Sequence, residues 1–136
     1  MKIAIIGSGN LGLSIAKGLV YNNTYTSLYL TKRELNSIEK WEENNNVKIT
    51  KNNQEAVKNA DIIIFTVQPG QFDGILEEIK GVLTDKHILI SAITGYSIKR
   101  METQLGDNYP IIRSMPNTAI SVGKSMTCLC CNVAGE

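Results

Sequence analysis

The chain has 136 residues, of which 43% are hydrophobic and 20% are charged, and its formal net charge at pH 7 is +1. This length provides one domain with a hydrophobic core and leaves no room for a second domain of similar size. The balanced charge and scattered basic residues do not indicate nucleic acid or an anionic membrane as a partner, and no apolar run approaches the roughly 20 residues that cross a bilayer.

The first predicted element is a short apolar strand that starts directly after Lys2. Such a beginning is unlike a secretory signal peptide, and a cytoplasmic location is therefore expected. Residues 3–6 are apolar and mostly β-branched, with no polar alternation. This pattern is typical of a parallel strand that is covered on both faces.

A glycine pattern, Gly7-Ser8-Gly9-Asn10-Leu11-Gly12, follows this strand and opens a predicted helix over residues 10–21. Gly7 permits a tight turn, Gly9 lets the backbone approach a pyrophosphate, and Gly12 lets the helix pack on the strand. The phosphates would meet the N–H groups and the positive dipole end of this helix. This context predicts a dinucleotide site; the alternative is an incidental glycine turn in another α/β domain.

The rest of the chain alternates predicted strands with predicted helices. The strands are expected at residues 27–30, 47–50, 62–67, 87–91 and 109–113, and residues 125–131 could form a last one. The helices are expected at residues 33–44, 54–59, 72–79 and 97–105, the last with Ser97 as its cap. This alternation predicts an α/β fold with a doubly wound parallel sheet, the Rossmann dinucleotide-binding fold. Ligands of such sheets lie at the carboxyl ends of the strands. Five loops are therefore candidates for ligand contacts: residues 7–11, 31–33, 67–70, 92–95 and 114–118.

The end of the second strand predicts which nucleotide is bound. An NAD-preferring domain usually carries Asp or Glu there, whereas this chain has Thr31-Lys32-Arg33. Two cations and a hydroxyl suit a 2′-phosphate, which a carboxylate would repel. NADPH is therefore predicted over NADH, although NADH stays possible. Glu34 is assigned to the first helical turn, and the alternative is that Lys32 and Arg33 are only a solvated helix start.

Two later loops each have a structural and a functional interpretation. The segment Val67-Gln68-Pro69 is either a simple turn or, because of its position at the carboxyl edge, a cofactor contact. The segment at residues 113–118 turns through Pro116-Asn117. Either Met115 belongs to the core there, or Asn117 bonds a nicotinamide amide or a substrate.

The cysteines are confined to one segment, at Cys128, Cys130 and Cys131, and the only histidine is His87. There is no second cluster of ligands, and alternate residues of a strand do not form a metal pocket. We therefore expect reduced, partly buried strand cysteines and no metal site.

Several segments together resemble pyrroline-5-carboxylate reductase, the enzyme family that completes proline synthesis. They are the opening Ile-Gly-x-Gly-Asn-Leu-Gly, the Asn-x-Glu-Ala-Val segment at residues 53–57, Ala60-Asp61, and Met115-Pro116-Asn117-Thr118 with Val122-Gly123. The resemblance covers nearly all 136 residues. It implies the amino-terminal Rossmann half of that family, which binds NADPH or, less often, NADH.

The resemblance also implies roles for individual residues. Gly7, Ser8, Gly9, Asn10 and Leu11 would hold the pyrophosphate, Thr31, Lys32 and Arg33 the 2′-phosphate, and Asn53 the adenosine side. Val67, Gln68 and Pro69, with Ala92, Ile93 and Thr94, would border the nicotinamide ribose. Met115, Pro116, Asn117 and Thr118 would lie near the nicotinamide. Three positions depart from the family pattern: Gln68 replaces a lysine, Ala119 a proline and Ser125 a glycine.

The implied reaction is hydride transfer from NAD(P)H to 1-pyrroline-5-carboxylate, which gives L-proline. Residues 1–136 would form one dinucleotide-binding domain, and the helical half that makes the dimer and holds most of the substrate is absent from them. We therefore expect NADPH binding with poor turnover by these residues alone, a homo-oligomer for a full-length form, and no assignable catalytic residue. Two alternatives are a non-catalytic NADP-binding sensor module and a related imine or deazaflavin reductase.

Overall fold

The described strands form a single sheet in the order β3-β2-β1-β4-β5-β6-β7. The structure, a computed structural model, describes residues 1–136 apart from the side chain of Thr118. The strands are β1 (Lys2–Ile6), β2 (Ser27–Thr31), β3 (Val47–Thr50), β4 (Ile62–Phe65), β5 (Ile88–Ser91), β6 (Ile111–Met115) and β7 (Cys128–Cys131). Strands β1 to β6 are parallel, and β7 is antiparallel to β6. The order reverses between β1 and β4, where doubly wound sheets bind ligands.

Helical segments connect the strands. The α-helices are α1 (Asn10–Asn22), α2 (Asn53–Lys58), α3 (Pro69–Ile79) and α4 (Ile98–Leu105). The 3₁₀ segments are Leu35–Glu43, Lys80–Val82, Thr118–Val122 and Val133–Gly135. The predicted Rossmann architecture is confirmed. No helix of the described chain has the length and apolar character needed to cross a membrane.

The sheet separates two hydrophobic clusters. Ala4 and Ile6 of β1 belong to the cluster that α2, α3 and α4 cover. Ile3 and Ile5 belong to the other, which α1 and the 3₁₀ segment Leu35–Glu43 cover. Successive residues of a strand point to opposite faces, so both sets of β1 side chains are buried. This is the physical reason for the unbroken apolar run in the sequence.

The helix boundaries follow from local chemistry. Asn23 adopts the left-handed conformation, with φ of 49°, directly after α1. Asn52 and Ser97 cap α2 and α4, accepting hydrogen bonds from the backbone N–H groups three residues later. Pro69 lies in the first turn of α3, where its missing N–H costs no hydrogen bond. The segment Val67-Gln68-Pro69 is therefore a strand-to-helix connection.

The segment at residues 33–44 differs from the predicted helix, because it is a 3₁₀ segment over Leu35–Glu43. Its apolar residues Leu35, Ile38 and Trp41 recur every third position, and all three contact the cluster beneath α1. A helix with three residues per turn aligns such positions on one face. The strict three-residue spacing therefore favours the 3₁₀ form here.

Two strand predictions are wrong at their ends. The fourth strand stops at Phe65, two residues earlier than expected. The sixth spans Ile111–Met115 and so starts two residues later than the predicted 109–113. Pro110 has no N–H to donate and only accepts a bond, from Leu89 N at 2.9 Å. The regular ladder consequently begins after it.

Strand β7 corrects two predictions. It is antiparallel, because the connection from β6 contains only the 3₁₀ segment Thr118–Val122 where a parallel crossover normally uses an α-helix. Its cysteines are free but exposed, so the expectation of partial burial is wrong. β7 is the edge of the sheet, and every one of its residues is exposed. The described residues contain no group of side chains that could hold a metal ion.

Candidate dinucleotide-binding site

A cavity of about 870 Å³ lies at the carboxyl ends of β1, β2, β3 and β4, at the point where the strand order reverses. Its lining residues are Ile6, Gly7, Ser8, Gly9, Thr31, Lys32, Arg33, Glu34, Lys51, Asn53, Thr66, Val67, Gln68, Gln71, Ile75 and Glu78. This volume is within the range of roughly 300–1,000 Å³ that is usual for cofactor and ligand pockets. The cavity therefore has the size and the position of a dinucleotide site in this fold.

The three glycines of the opening motif have different surroundings. Gly7 has φ of 90°, and a Cβ there would collide with the Val67 side chain. A Cβ on Gly12 would lie 2.7 Å from Thr66 Oγ1, so this glycine brings α1 close to the end of β4. A Cβ on Gly9 would meet nothing within 4 Å. Gly9 thus leaves open space at the cavity, as expected where a backbone has to approach a phosphate.

Thr31, at the end of β2, accepts hydrogen bonds from the glycine turn. Its hydroxyl accepts a hydrogen bond from Gly7 N at 3.2 Å, and its carbonyl oxygen accepts one from Ser8 N at 2.8 Å. The Thr31 residue is only 2% exposed. In both bonds Thr31 is the acceptor, so its hydroxyl keeps its own donor, and its predicted contact with a 2′-phosphate stays a prediction.

Unpaired polar groups remain beside this turn. Ser8 Oγ is buried and has no hydrogen-bond partner among the described residues. The first intrahelical bond of α1 runs from Leu13 N to Gly9 O at 2.9 Å. The N–H groups of Asn10, Leu11 and Gly12 consequently precede the helical ladder and are donors for an anion. Asn10 and Leu11 do not line the cavity, but they open the helix that starts at its edge.

Cations from two neighbouring strand ends meet in the cavity. Lys32 and Arg33 follow β2, as predicted, and Lys51 follows β3. None of the three forms an ion pair with a carboxylate in the described chain, where Arg100 and Asp73 make the only salt bridge. Two carboxylates, Glu34 and Glu78, also line the cavity. The lining therefore retains a positive balance, which suits a phosphate.

Lys51 was missed by the sequence reasoning, although a signal was present. It directly follows a strand that was correctly predicted, and Lys32 N donates to Thr50 O at 3.3 Å. Adjacent parallel strands end at the same edge of the sheet, so the residue after β3 lies beside the residues after β2. The rule that identified Lys32 and Arg33 also identifies Lys51.

Helices α2 and α3 form the opposite wall. Asn53 Nδ2 donates to Glu78 Oε2 at 3.3 Å, and Gln54 Nε2 donates to Glu78 O at 2.7 Å. Gln71, Ile75 and Glu78 are spaced four and three residues apart, which puts them on one face of α3. Ile75 adds an apolar surface beside polar amides, a combination that suits an adenosine. Of this wall, only Asn53 was predicted.

The cavity does not contain every predicted site residue. Pro69, Ala92, Ile93, Thr94 and residues 115–117 are not among its lining residues. Ile93 is only 3% exposed and belongs to the main core, so its backbone alone is available to a ligand. The assignments of these residues to the nicotinamide side stay predictions.

The segment after β6 has its own hydrogen bonds. Asn117 Oδ1 accepts from Ala119 N at 3.0 Å and thereby caps the 3₁₀ segment Thr118–Val122. Asn117 N donates to Ser125 Oγ at 3.1 Å. Met115 is 55% exposed, so the alternative that placed it in the core is wrong. The predicted contact of Thr118 involves a side chain outside the described part of the structure.

A polar cluster fixes the helix that lines the cavity. Tyr96 is 1% exposed, and its hydroxyl donates to Asp73 Oδ1 of α3. Arg100 Nη2 donates to Asp73 Oδ2 at 2.6 Å, and Gln104 Nε2 donates to Asp73 Oδ1 at 2.5 Å. Burial, together with the Asp73 carboxylate, raises the pKa of Tyr96 to about 12. The Tyr96 hydroxyl is the main cause that lowers the pKa of Asp73. These contacts attach α3 to α4.

The amino-acid sequence matches the model of one protein family. A model described as "NADP oxidoreductase coenzyme F420-dependent" matches residues 2–95. The chain belongs to this family. The matched range contains the glycine turn, the three cations and the helical wall of the cavity.

Family members with curated names extend the similarity beyond residue 95. Pyrroline-5-carboxylate reductase 2 of Dictyostelium discoideum is 44% identical over 132 residues, which are 94% of this chain and 44% of that protein. Pyrroline-5-carboxylate reductase 1 of the same organism is 43% identical over 129 residues, 93% of this chain and 23% of that protein. The chain spans less than half the length of these relatives. The predicted resemblance to the amino-terminal domain of pyrroline-5-carboxylate reductase is confirmed.

Solved structures of the family have the same fold. A pyrroline-5-carboxylate reductase from Coxiella burnetii matches with a TM-score of 0.90 and 32% identity, over 99% of this chain and 51% of that one. The pyrroline carboxylate reductase of Plasmodium falciparum, solved with NADP bound, matches with a TM-score of 0.84 and 27% identity, over 98% of this chain and 48% of that one. The strand and helix arrangement is thus that of about half of each of these two structures.

Proposed function

We propose that the chain is the NADPH-binding domain of a pyrroline-5-carboxylate reductase. The observation that carries this proposal is the open glycine turn at Gly9 beside the unpaired cations Lys32, Arg33 and Lys51. The similarity to named reductases supports the same conclusion, as does the NADP bound in the Plasmodium falciparum relative. NADPH is preferred over NADH in this account, because the cations have no 2′-phosphate to pair with in NADH.

Different residues of the cavity are assigned to different parts of the cofactor. The N–H groups at the start of α1 and the unpaired Ser8 Oγ are available to the pyrophosphate. Lys32, Arg33 and Lys51 are assigned to the 2′-phosphate, and the wall that contains Asn53 and Ile75 to the adenosine. Val67 and Gln68, which also line the cavity, are assigned with Pro69 and residues 92–94 to the nicotinamide ribose.

The proposed reaction is reduction of 1-pyrroline-5-carboxylate to L-proline, for which the bound cofactor supplies the hydride. A protonated imine is already electrophilic, so proximity and orientation account for much of the acceleration. The contribution of this chain is therefore to bind the cofactor and to fix its orientation. Residues 115–118 are assigned to the neighbourhood of the nicotinamide, and no catalytic residue is assigned within residues 1–136.

Domain organisation and assembly are part of the proposal. Residues 1–136 form one dinucleotide-binding domain, and the residues that hold the substrate belong to the part of the relatives that this chain does not match. Their lengths support this, since the chain covers 44% and 23% of the two Dictyostelium discoideum proteins. We infer poor turnover by residues 1–136 alone and a homo-oligomer for a full-length form.

One other function has a specific observation in its favour. The description of the matched family names coenzyme F420, a deazaflavin, as the partner of NADP. Reduction of a deazaflavin by NADPH is therefore the second candidate. The similarity to pyrroline-5-carboxylate reductases, 44% identity over 94% of this chain in one of them, favours the imine as substrate.

Absorbance at 340 nm, followed with NADPH and either acceptor, distinguishes the candidates. A longer protein that contains this chain should oxidise NADPH only with 1-pyrroline-5-carboxylate and form equimolar proline. If NADPH were oxidised with coenzyme F420 but not with 1-pyrroline-5-carboxylate, the deazaflavin would be the substrate instead of the imine. A longer protein that binds NADPH but oxidises it with neither acceptor would favour the non-catalytic sensor module.

A further inference from the structure

A second cavity, of about 340 Å³, lies between α1 and the 3₁₀ segment Leu35–Glu43. Its lining residues are Lys17, Val20, Lys40, Trp41 and Asn44. It shares no lining residue with the dinucleotide cavity. Lys17 and Val20 belong to the carboxyl-terminal half of α1, whereas the first cavity lies at the amino-terminal end of that helix. The two cavities are therefore separate sites.

The charged groups of this cavity have no partners in the described chain. Lys17 and Lys40 are exposed, and neither belongs to the single salt bridge that the described residues form. The nearby carboxylates Glu39, Glu42 and Glu43 do not line the cavity. Glu42 Oε1 instead accepts from Ile49 N at 3.4 Å. Two lysines from different elements thus line one cavity, and neither has a carboxylate partner in the described chain.

At the end of each helical segment, one carbonyl group beside this cavity already accepts a side-chain hydrogen bond. Gly18 O accepts from Asn22 Nδ2 at 2.8 Å, at the end of α1. Trp41 O accepts two hydrogen bonds from Asn44, from its N at 3.1 Å and its Nδ2 at 3.0 Å. Paired carbonyls present less negative potential than free ones. Lys17 and Lys40 are consequently the charged groups among the residues that line this cavity.

Trp41 provides an aromatic surface and a hydrogen-bond donor. Part of its side chain packs on the cluster beneath α1, and part remains accessible in the cavity beside Val20. No described residue accepts a hydrogen bond from its indole N–H. An accessible indole offers a ligand both an aromatic face for stacking and a hydrogen-bond donor.

We propose that this cavity binds a small organic anion, a carboxylate or phosphate monoester with an aromatic body. The anionic group pairs with Lys17 and Lys40, and the body packs on Trp41 and Val20. This proposal does not depend on the function of the dinucleotide cavity.

Trp41 is the only tryptophan of the chain, so its indole N–H gives one resolved nitrogen–proton signal. The protein labelled with ¹⁵N is titrated with phenyl phosphate, with inorganic phosphate and with benzyl alcohol. We expect a saturable shift of this signal with phenyl phosphate and a Kd of about 1–10 mM, as the size of the probe implies. Inorganic phosphate lacks the aromatic ring and benzyl alcohol lacks the anionic group, so both should bind more weakly.

The variants Lys17→Gln and Lys40→Gln should each weaken phenyl phosphate binding by about two- to fivefold. Lys99→Gln, on the other face of the sheet, is the matched control and should change nothing. All three variants should keep the NADPH affinity of the parent, which separates this proposal from the proposed function. An absent or non-saturable shift, equal binding of benzyl alcohol, or unchanged binding in the Lys17→Gln/Lys40→Gln double variant would overturn the proposal.

Discussion

The Thr31 hydroxyl accepts a hydrogen bond from Gly7 N at 3.2 Å, across the neighbouring ends of β2 and β1. The Thr31 carbonyl oxygen adds a second bond, from Ser8 N at 2.8 Å. The residue at the end of β2 thereby fixes the turn at the end of β1. A position that usually contacts the ribose in Rossmann domains here supports the glycine turn.

Thr31→Val keeps the size of this side chain but removes the acceptor for Gly7 N. We expect a loss of about 1–2 kcal/mol in the free energy of unfolding, because a partly buried N–H loses its partner. NADPH affinity should fall as well, since the turn is no longer held. Urea unfolding and calorimetric titration measure the two effects, and Thr31→Ser, which keeps the acceptor but loses a buried methyl group, should restore the NADPH affinity and only part of the stability. A Thr31→Val protein that equals the parent in both measurements would contradict the role given to this hydroxyl.

Gly9→Ala and Gly12→Ala separate binding from folding within one motif. A Cβ at position 9 meets no atom within 4 Å, so the free energy of unfolding should change by less than about 0.5 kcal/mol. NADPH affinity should nevertheless fall by about tenfold or more, because the Cβ occupies the approach to the pyrophosphate. At position 12 a Cβ lies 2.7 Å from Thr66 Oγ1 and 2.9 Å from Gly7 O, which should cost about 1–3 kcal/mol of stability.

Both variants are measured by urea unfolding and NADPH titration. If Gly9→Ala lost stability without losing affinity, the open space beside this glycine would not be the phosphate site.

Arg33→Ala and Lys51→Gln should each weaken NADPH binding by about fivefold and leave NADH binding unchanged, since only NADPH carries the 2′-phosphate. The matched control is Lys58→Gln, which removes an exposed lysine outside the cavity. Calorimetric titration with both nucleotides gives the comparison. Equal losses for NADPH and NADH would mean that these cations contact another part of the cofactor.

The Tyr96–Asp73 contact should make stability depend on pH at both extremes. The pKa of Tyr96 is raised to about 12 in the folded chain, from an ordinary value of 10.0. The neutral phenol is thus favoured by folding, so its contribution is complete below pH 10 and disappears as the pH rises through about 12. The lowered pKa of Asp73 gives the opposite sign, with stability lost as the pH falls below the ordinary value of 3.8.

Tyr96→Phe should cost about 1 kcal/mol near pH 7, because Asp73 keeps Arg100 and Gln104 as partners. The variant should also lose the part of the alkaline decline that belongs to Tyr96. Urea unfolding between pH 7 and pH 11 measures both effects, and absorbance at 295 nm follows the phenolate. An identical alkaline decline in parent and variant would exclude Tyr96 as its cause.

Much of the fold was predictable because the decisive signals are local. The apolar run at residues 3–6 predicts a strand that is buried on both faces. Asn23 ends α1 through its left-handed backbone conformation, and Ser97 begins α4 through its side-chain hydrogen bond. The direction of β7 was not predictable, since a strand sequence does not state which way it runs. The exposure of its cysteines depends on what packs beside the edge strand, which no property of Cys128–Cys131 encodes.

The candidate site was predictable where it consists of residues that directly follow strands. Lys32, Arg33 and Val67 line the cavity as expected, and Lys51 obeys the same rule. The α3 wall was not predicted, because which face of a helix lines a cavity depends on how the helix packs on the sheet. The contact of the Thr31 hydroxyl with the glycine turn was not predicted either, because it depends on the register between β1 and β2.

Calorimetric titration of the chain with NADPH and with NADH tests the central claim most directly. We expect one NADPH site per chain and an affinity for NADPH at least about fivefold above that for NADH, which corresponds to about 1 kcal/mol. No binding of NADPH, or NADH binding as tight as NADPH, would contradict it.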